Sequence, residues 1–384
     1  MTEPVFVTGG TGFLGSFFVV HLLRQGIPVF ALIREPLEAK LIPNLWEAVG
    51  HHHRDAELPL ELLHGVQGDV RQAGFGMDSS TYAELRSSIS DIWHFAAAFE
   101  TSGPNGDDVR DTNVTGTRHV LELAAQNPDI AVKLVSTAFA APFVDETARE
   151  YLSEPNDLKG NAYERSKAEA ERIAQEFADR DGFDLTILRP SIVIGDSQHG
   201  ISLGSSGYQA VFRSLFLLKR RLEVNLGSEF DGDLRLRVEA DPNLSLNILP
   251  VDFVVEAMWR IAGTRKSPSH IYNIASEHRT TLQMLFGEGA AALGIAGIHL
   301  SHHHDYEARS KTLAERLFHR RIKFQAPYML RNVTFDTTNF RRLVPENLFP
   351  TPVPDAALMG RCNQYCLRAL EQEFGRDLAE AVVD

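Results

Sequence analysis

The chain has 384 residues, of which 43% are hydrophobic and 23% are charged, as in an ordinary soluble globular protein. Lys and Arg number 38 against 51 Asp and Glu, and the net charge of −13 disfavours nucleic acid as a partner. No apolar run reaches the roughly 20 residues that cross a bilayer, and no signal-peptide pattern precedes the first apolar residues. Because Cys362 and Cys366 are the only cysteines, we expect a reduced, cytoplasmic protein without a membrane span.

In chain order, the first half alternates between apolar, strand-like runs and amphipathic, helix-like stretches. The predicted strands are residues 5–8, 29–33, 60–66, 92–97, 132–136 and 185–194. The predicted helices are residues 13–25, 82–88, 115–126 and 163–180. Strands and helices that alternate at this spacing indicate an α/β fold, in which helices cover both faces of a parallel sheet.

After residue 195 the alternation ends, and helical patterns return at 210–222, 251–262 and 281–293. A further strand is predicted at 270–275. We therefore predict a first domain over 1–195, to which later strands are contributed from about 245–275. A smaller, mostly helical lobe over 196–384 would interleave with it and face the carboxyl ends of the strands, where open α/β sheets bind ligands.

The stretch TGGTGFLG, residues 8–15, joins the first strand to the first helix. Gly9 allows a sharp turn out of the strand, Gly12 leaves room for a pyrophosphate, and Gly15 lets the helix pack closely on the sheet. The helix that begins near Phe13 directs free N–H groups and its positive dipole end at the anion. This order predicts a dinucleotide site in a Rossmann-type doubly wound sheet. A glycine-rich loop without a ligand is the alternative.

The residue after the second strand distinguishes the two nicotinamide dinucleotides. An acidic residue at this position binds the adenosine ribose hydroxyls, but this chain has Arg34, followed by Glu35. Because a guanidinium suits a 2′-phosphate, we predict NADP(H) as the cofactor. A solvated arginine at a strand end is the alternative.

Tyr163 and Lys167 are four residues apart on a predicted helix and therefore share one face. A tyrosine hydroxyl has an ordinary pKa of about 10, which a nearby ammonium lowers. Ser136 and Thr137 supply hydroxyls at the end of a buried strand, and Asn113 stands at the start of a helix. Together these residues predict a carbonyl-reducing site with Tyr163 as proton donor. Taken separately, the Tyr/Lys pair is typical of a solvated helix face and Asn113 of a helix cap.

These motifs, with GDV at 68–70 and HFAAA at 94–98, make the chain resemble the extended short-chain dehydrogenase/reductases over roughly residues 4–275. The resemblance implies catalytic roles for Thr137 (with Ser136 as the alternative), Tyr163, Lys167 and Asn113. It also implies cofactor contacts from Thr8, Gly9, Thr11, Gly12, Phe13, Leu14, Gly15, Arg34, Asp69, Val70, Ala96, Ala97, Ala98, Asn113, Tyr163, Lys167, Pro190, Ser191, Ile192 and Val193.

A narrower resemblance is carried by YERSK at 163–167, LRPSIVIGDS at 188–197 and LNILPVDFV at 246–254. These stretches look like the branch that contains fatty acyl-CoA reductases and thioester-reductase domains. The resemblance implies NADPH-dependent reduction of an acyl thioester to an aldehyde, or onward to an alcohol. The partner would be a small-molecule or carrier-protein-bound acyl thioester. Whether the chain forms a homodimer stays open.

Three functions other than thioester reduction are compatible with these motifs. A sugar-nucleotide epimerase or dehydratase shares the Thr/Tyr/Lys chemistry, but it usually retains NAD, which Arg34 argues against. A ketone or aldehyde reductase is the second alternative. A non-catalytic NADP(H) sensor is the third, and the intact Tyr/Lys pair argues against it.

Four further features of the sequence have a structural interpretation beside a functional one. The histidine runs at 51–53 and 302–304 invite a metal site, but adjacent histidines point in different directions, and we predict none. Phe212 and Phe216 are interpreted first as core, with a lipophilic tunnel as the alternative. The cations at 219–221 end an apolar helix and either bind the phosphates of CoA or a pantetheine arm or are solvated.

Overall fold

The computed structural model describes residues 3–50, 58–99, 107–154, 160–204, 207–263 and 270–375. The strands are β1 (Val5–Thr8), β2 (Val29–Ile33), β3 (Leu63–Gln67), β4 (Asp91–His94), β5 (Ala131–Val135), β6 (Phe143–Val144), β7 (Thr147–Ala148), β8 (Leu185–Pro190), β9 (Ile192–Ile194), β10 (Asp233–Glu239), β11 (Ser245–Leu246), β12 (Ile248–Pro250), β13 (Ile271–Ile274), β14 (Thr280–Thr281), β15 (Ala296–Ser301) and β16 (Thr334–Phe335). The helices are α1 (Phe13–Arg24), α2 (Leu41–Val49), α3 (Ser79–Ser88), α4 (Asp107–Arg110), α5 (Gly116–Ala125), α6 (Ala162–Asp181), α7 (Tyr208–Leu226), α8 (Val251–Ala262), α9 (Leu282–Leu293), α10 (His303–Glu307), α11 (Leu313–Arg321), α12 (Thr338–Leu343) and α13 (Ala356–Phe374).

The central sheet has seven parallel strands in the order β13-β8-β5-β4-β1-β2-β3. The chain runs outward from β1 to β2 and β3 on one side, and from β4 through β5 and β8 to β13 on the other. The strand order therefore reverses between β1 and β4, and open α/β sheets bind nucleotides at such a switch point. The predicted α/β fold with a doubly wound parallel sheet is confirmed.

The core of this sheet is built from the apolar residues of strands that are covered on both faces. Phe6, Ile92, Leu134 and Ile187 come from four neighbouring strands, and each is almost completely buried. Helix α5 adds Val120 to the same cluster. Continuous apolar runs of this kind are typical of parallel strands because neither face meets water.

The chain divides into two compact units. The first contains Met1–Ser191, Val254–Ala275 and Thr334–Pro350, and the second contains Ile192–Phe253, Ser276–Val333 and Thr351–Asp384. The sequence-based domain bounds stay a prediction, and the two compact units differ from them in two places. In the 245–275 region β13 joins the central sheet, whereas β12 pairs with β9 in the second unit. The segment Thr334–Pro350, predicted to lie in the lobe, packs with the first unit.

The segment Thr334–Pro350 contacts the rest of the first unit through backbone hydrogen bonds and through a carboxylate. Strand β16 pairs with β7, and the Asn273 amide donates a hydrogen bond to the Asp336 carbonyl at 2.9 Å. The Glu150 carboxylate accepts N–H groups from Asn273 (2.9 Å) and Phe340 (3.3 Å). Burial raises the pKa of Glu150 to about 7. Such pairings join residues far apart in sequence, so composition and periodicity do not reveal them.

The second unit has its own core, to which α7, α9 and α13 contribute. Phe212 and Phe216 are buried there beside Leu236 and Met359, as the core interpretation predicts. Strands β10 and β15 form a parallel pair in this unit. Among the described helices, none is both long and apolar enough to cross a membrane.

Candidate active site

The glycine loop turns sharply after β1 and leads directly into α1. Gly9 has a φ of +73°, and a Cβ there would lie 2.5 Å from the Ala96 nitrogen. A Cβ at Gly15 would collide with the Gly9 carbonyl oxygen. At Gly12, the Gly9 carbonyl oxygen at 3.2 Å is the sole described atom that a Cβ would meet within 4 Å. The protein therefore leaves an open cradle at the start of the helix, which fits a dinucleotide phosphate.

The same loop is fixed by side-chain hydrogen bonds. Ser16 donates to the carbonyl oxygens of Gly10 (2.9 Å) and Gly12 (2.8 Å). The Asn44 amide donates to the Thr11 carbonyl at 2.8 Å. Phe13 and Leu14 form the first turn of α1 and are half-buried. The loop thus holds its shape through the protein's own contacts.

His94 connects the glycine loop to α5 through two threonines. The Thr117 hydroxyl donates to the Asn113 carbonyl (2.7 Å), so its oxygen is free to accept from Nε2–H of His94 (3.0 Å). The other ring nitrogen, Nδ1, then accepts from the Thr8 hydroxyl at 2.6 Å. Burial lowers the pKa of His94 to about 3, with Lys167 acting in the same direction. His94 is therefore a neutral imidazole with its proton on Nε2.

On the adenosine side, Asp69 is held by an arginine that sequence reasoning overlooked. The Arg71 guanidinium binds the Asp69 carboxylate at 2.6 and 3.1 Å. This hydrogen bonding, with a smaller contribution from the charge of Arg34, holds the pKa of Asp69 below its ordinary value. Arg34 is exposed directly after β2. The Arg71 guanidinium therefore pairs with Asp69, and the sequence signal for this pair was the arginine that follows GDV at 68–70.

The predicted pair Tyr163 and Lys167 lies in the first turns of α6. A capping box between Asn161 and Glu164 begins the helix. Tyr163 is 8% exposed, and burial raises the pKa of its hydroxyl, so the group stays protonated at neutral pH. We expected the lysine charge to lower this pKa, whereas burial and the nearby charge of Glu164 both raise it. Lys167 is fully buried, donates to the Val135 carbonyl at 2.7 Å, and has its pKa lowered to about 8 by that burial.

Two hydroxyl side chains, Ser136 and Thr137, follow β5 and differ in their hydrogen bonds. Thr137 begins the short 3-10 turn Ala138–Ala140, where its oxygen accepts the Phe139 N–H at 3.4 Å. That bond leaves the threonine proton available to another acceptor. The Ser136 oxygen is buried without a hydrogen-bond partner among the described residues.

Asn113 lies in a π-helical turn, Asp111–Thr115, and its side chain joins three parts of the site. Its amide accepts the Ala98 N–H (2.8 Å) and donates to the Ala98 carbonyl (2.9 Å). It also donates to the Ser166 hydroxyl at 2.9 Å, and Ser166 donates to the Tyr163 carbonyl. Asn113 therefore holds the turn of α6 that carries Tyr163 and the chain after β4. A water held by Asn113 stays a prediction.

A buried ion pair one turn beyond Lys167 was not expected from the sequence. Glu171 and Arg189 are both fully buried, and two hydrogen bonds of 2.8 and 2.5 Å join them. Arg189 also donates to the carbonyl oxygens of Arg149 and Tyr151 at 3.0 Å. The available signal was a single arginine inside an apolar strand, since a charge in that position requires a partner.

The remaining predicted cofactor residues divide between the two units. Pro190 ends β8, and Ser191 donates its N–H to the Ile274 carbonyl at 3.0 Å while its hydroxyl has no partner in the described chain. Ile192 and Val193 lie in β9 of the second unit, where they pair with β12. Val70, Ala96 and Ala97 complete the predicted set. Val70 is buried against Gly116, while Ala96 and Ala97 are half-buried after β4.

The basic triplet and the second histidine run lie in the second unit. Lys219 donates to the Leu293 carbonyl at 2.7 Å, and Lys219 and Arg220 each lie 3.5 Å from Glu223. A phosphate would compete with these contacts, and its binding stays a prediction. His303 contacts Glu239 at 2.5 Å with Glu307 nearby.

The absence of a metal site at these histidines also stays a prediction. Glu307 is already paired with the Lys311 ammonium at 2.5 Å. A cation bound by Glu307 would compete with that ammonium. The first histidine run, 51–53, lies outside the described residues.

The parallel sheet, the glycine cradle at its switch point and the Tyr/Lys helix define an extended short-chain dehydrogenase/reductase, an oxidoreductase that uses a nicotinamide cofactor. The chain belongs to the family described as Male sterility protein, which matches residues 7–258.

The chain spans only a small part of the first curated relatives it matches. It is 27% identical to a PKS-NRPS hybrid synthetase, acdB, of Aspergillus candidus over 70% of its own length and 10% of that protein. It is 30% identical to the L-2-aminoadipate reductase large subunit of Penicillium chrysogenum over 52% of its length and 15% of that protein. The crystal structure of the terminal R domain from the myxalamid PKS-NRPS pathway has the same fold, with a TM-score of 0.74 and 23% identity over 98% of this chain and 92% of that domain.

Proposed function

We propose that this chain is an NADPH-dependent reductase that converts an acyl thioester, either an acyl-CoA or a carrier-bound acyl chain, into an aldehyde. The observation that carries the proposal is a buried, protonated tyrosine one helical turn before an ammonium that is held against β5. Relatives named as a PKS-NRPS synthetase and an aminoadipate reductase support an acyl group as the substrate.

The glycine cradle would hold the pyrophosphate of the cofactor, and Arg34 would hold its 2′-phosphate. When bound, the cofactor supplies the hydride that the carbonyl carbon receives. Thr137 and Tyr163 donate hydrogen bonds to the carbonyl oxygen and stabilise the negative charge that develops on it. Preference for NADPH rests on the guanidinium of Arg34, which stands where an acidic side chain would select NADH.

Tyr163 transfers its proton to the oxygen as a general acid, which gives a hemithioacetal. The hemithioacetal breaks its carbon–sulfur bond and releases a thiol and an aldehyde. One thioester, one NADPH and one proton therefore yield one aldehyde, one thiol and NADP⁺. Lys167 would hold the nicotinamide ribose and resupply the tyrosine proton, while Asn113 keeps the turn of α6 in place through Ser166.

The deciding experiment follows NADPH oxidation with acyl-CoAs, acyl-pantetheines, aldehydes, ketones and nucleotide sugars. We expect thioester-dependent oxidation with release of one thiol per NADPH. Tyr163→Phe should reduce turnover at least about 100-fold while NADPH still binds, and Tyr151→Phe, at an exposed tyrosine, should leave turnover unchanged. Turnover of ketones or nucleotide sugars without any thioester reduction would overturn the proposal.

A further inference from the structure

Phe99 lies against the ring of the proposed acid. The ring centroids of Phe99 and Tyr163 are 4.8 Å apart with the planes tilted by 32°. Phe99 is 44% exposed, whereas Tyr163 is 8% exposed. A partly exposed aromatic ring thus packs against the ring of the tyrosine whose hydroxyl the substrate must reach.

The position of Phe99 is defined by the same contacts that hold the catalytic turn. The Asn113 amide clamps both the N–H and the carbonyl of Ala98, the residue before Phe99. Through Ser166, that amide is also linked to the Tyr163 carbonyl. Phe99 and Tyr163 are therefore held relative to each other, and an exposed ring fixed in this way is suited to contact a ligand.

The chemistry of the ring selects one part of a thioester. A phenyl face offers no donor or acceptor, so it gains most from covering methylene groups. The thiol arm of CoA or pantetheine reaches an amide after two methylenes from sulfur, whereas an unsubstituted acyl chain continues as methylenes from the carbonyl. We infer that Phe99 is a specificity-determining residue that binds the acyl methylenes adjacent to the reacting carbonyl, an inference that rests on the proposed thioester reduction.

The test compares kcat/KM for acetyl, butanoyl and octanoyl thioesters of the same thiol in the wild type, Phe99→Ala and Phe99→Leu. Each methylene removed from water contributes a factor of about four. Phe99→Ala should therefore lower kcat/KM for the octanoyl thioester on the order of tenfold relative to the acetyl thioester. Phe99→Leu should retain most of the preference, because leucine still covers methylenes.

A comparison of thioesters of two thiols, CoA and N-acetylcysteamine, shows which part of the substrate Phe99 contacts. A loss that depends on acyl length and is the same for both thiols supports the inference. A loss that depends on the thiol and is the same for every acyl length would assign Phe99 to the thiol arm and overturn it. Leu348→Ala, which also removes an exposed apolar side chain, should leave the acyl-length dependence unchanged.

Two further measurements separate binding from damage to the site. NADPH affinity and the midpoint of thermal unfolding should be the same in Phe99→Ala and the wild type, since the Asn113 clamp acts on the Ala98 backbone. Equal losses of kcat/KM for every thioester would overturn the role of Phe99 and leave the proposed function intact. If the wild type reduces no thioester of either thiol, the proposed function fails, and the inference fails with it.

Discussion

Lys167 donates a hydrogen bond to the carbonyl oxygen of Val135, 2.7 Å away, and so ties the catalytic turn of α6 to the end of β5. Ser136 directly follows the strand and precedes Thr137. One contact therefore holds the proposed acid and the proposed hydroxyl donor on two neighbouring elements. Burial lowers the pKa of Lys167 to about 8, although the negative charge of Glu171 acts in the opposite direction.

We expect kcat/KM to fall as the pH rises above about 8, because Lys167 loses its charge there. Burial disfavours the ammonium, so this alkaline limb lies well below the ordinary lysine pKa of about 10.4. The measurement is a pH–rate profile with a saturating cofactor and limiting thioester. A rate that stays constant through this range would contradict the role given to Lys167.

Arg34→Ala should weaken NADPH binding roughly tenfold to a hundredfold and leave NADH binding nearly unchanged, since a charged hydrogen bond to the 2′-phosphate is lost. Dissociation constants from fluorescence titration measure both effects. Arg24→Ala removes another exposed arginine, at the end of α1, and serves as the matched control. Equal losses for the two cofactors would remove Arg34 from the 2′-phosphate site.

Thr137→Val and Ser136→Ala distinguish the two hydroxyls after β5. We expect Thr137→Val to lower kcat about 100-fold, because a hydrogen bond to the developing oxyanion is lost. Ser136→Ala should leave kcat nearly unchanged and should not lower stability, since the buried Ser136 oxygen has no partner in the described chain. The opposite pattern of kcat values would give the catalytic role to Ser136.

Arg189→Met should destabilise the protein by about 3–5 kcal/mol, because it leaves the Glu171 carboxylate buried without its charge partner. The double variant Glu171→Met, Arg189→Met should recover part of that loss. Urea unfolding of both variants and the wild type provides the free energies. A double variant that is no more stable than the single one would mean that the carbonyl contacts of Arg189 dominate.

His94 should remain a neutral imidazole with its proton on Nε2 at every pH above about 5, since burial lowers its pKa to about 3. Nitrogen-15 NMR of the imidazole measures both the charge and the tautomer. Its folded pKa lies below the unfolded value of about 6.5, so stability is lost as the pH falls below that value. A protonated ring near neutral pH, or a proton on Nδ1, would refute the hydrogen-bond assignment.

Local patterns in the sequence were sufficient for much of the site. The strand–glycine–helix order predicted the loop around Gly9 and Gly15, because backbone conformation and close packing there depend on residues a few positions apart. The four-residue spacing of Tyr163 and Lys167 likewise predicted a shared helix face. The alternation of strands and helices predicted the parallel sheet in the same way.

Contacts between distant segments required the tertiary structure. His94 meets Thr8 across 86 positions, and Arg189 meets Glu171 across 18, so neither pairing follows from local periodicity. Phe99 reads as an ordinary apolar residue until its ring is found against Tyr163. The charge state of Lys167 depends on burial by residues from other elements. Sequence determined the local geometry of this protein, whereas packing decided which distant groups meet and how far water is excluded from them.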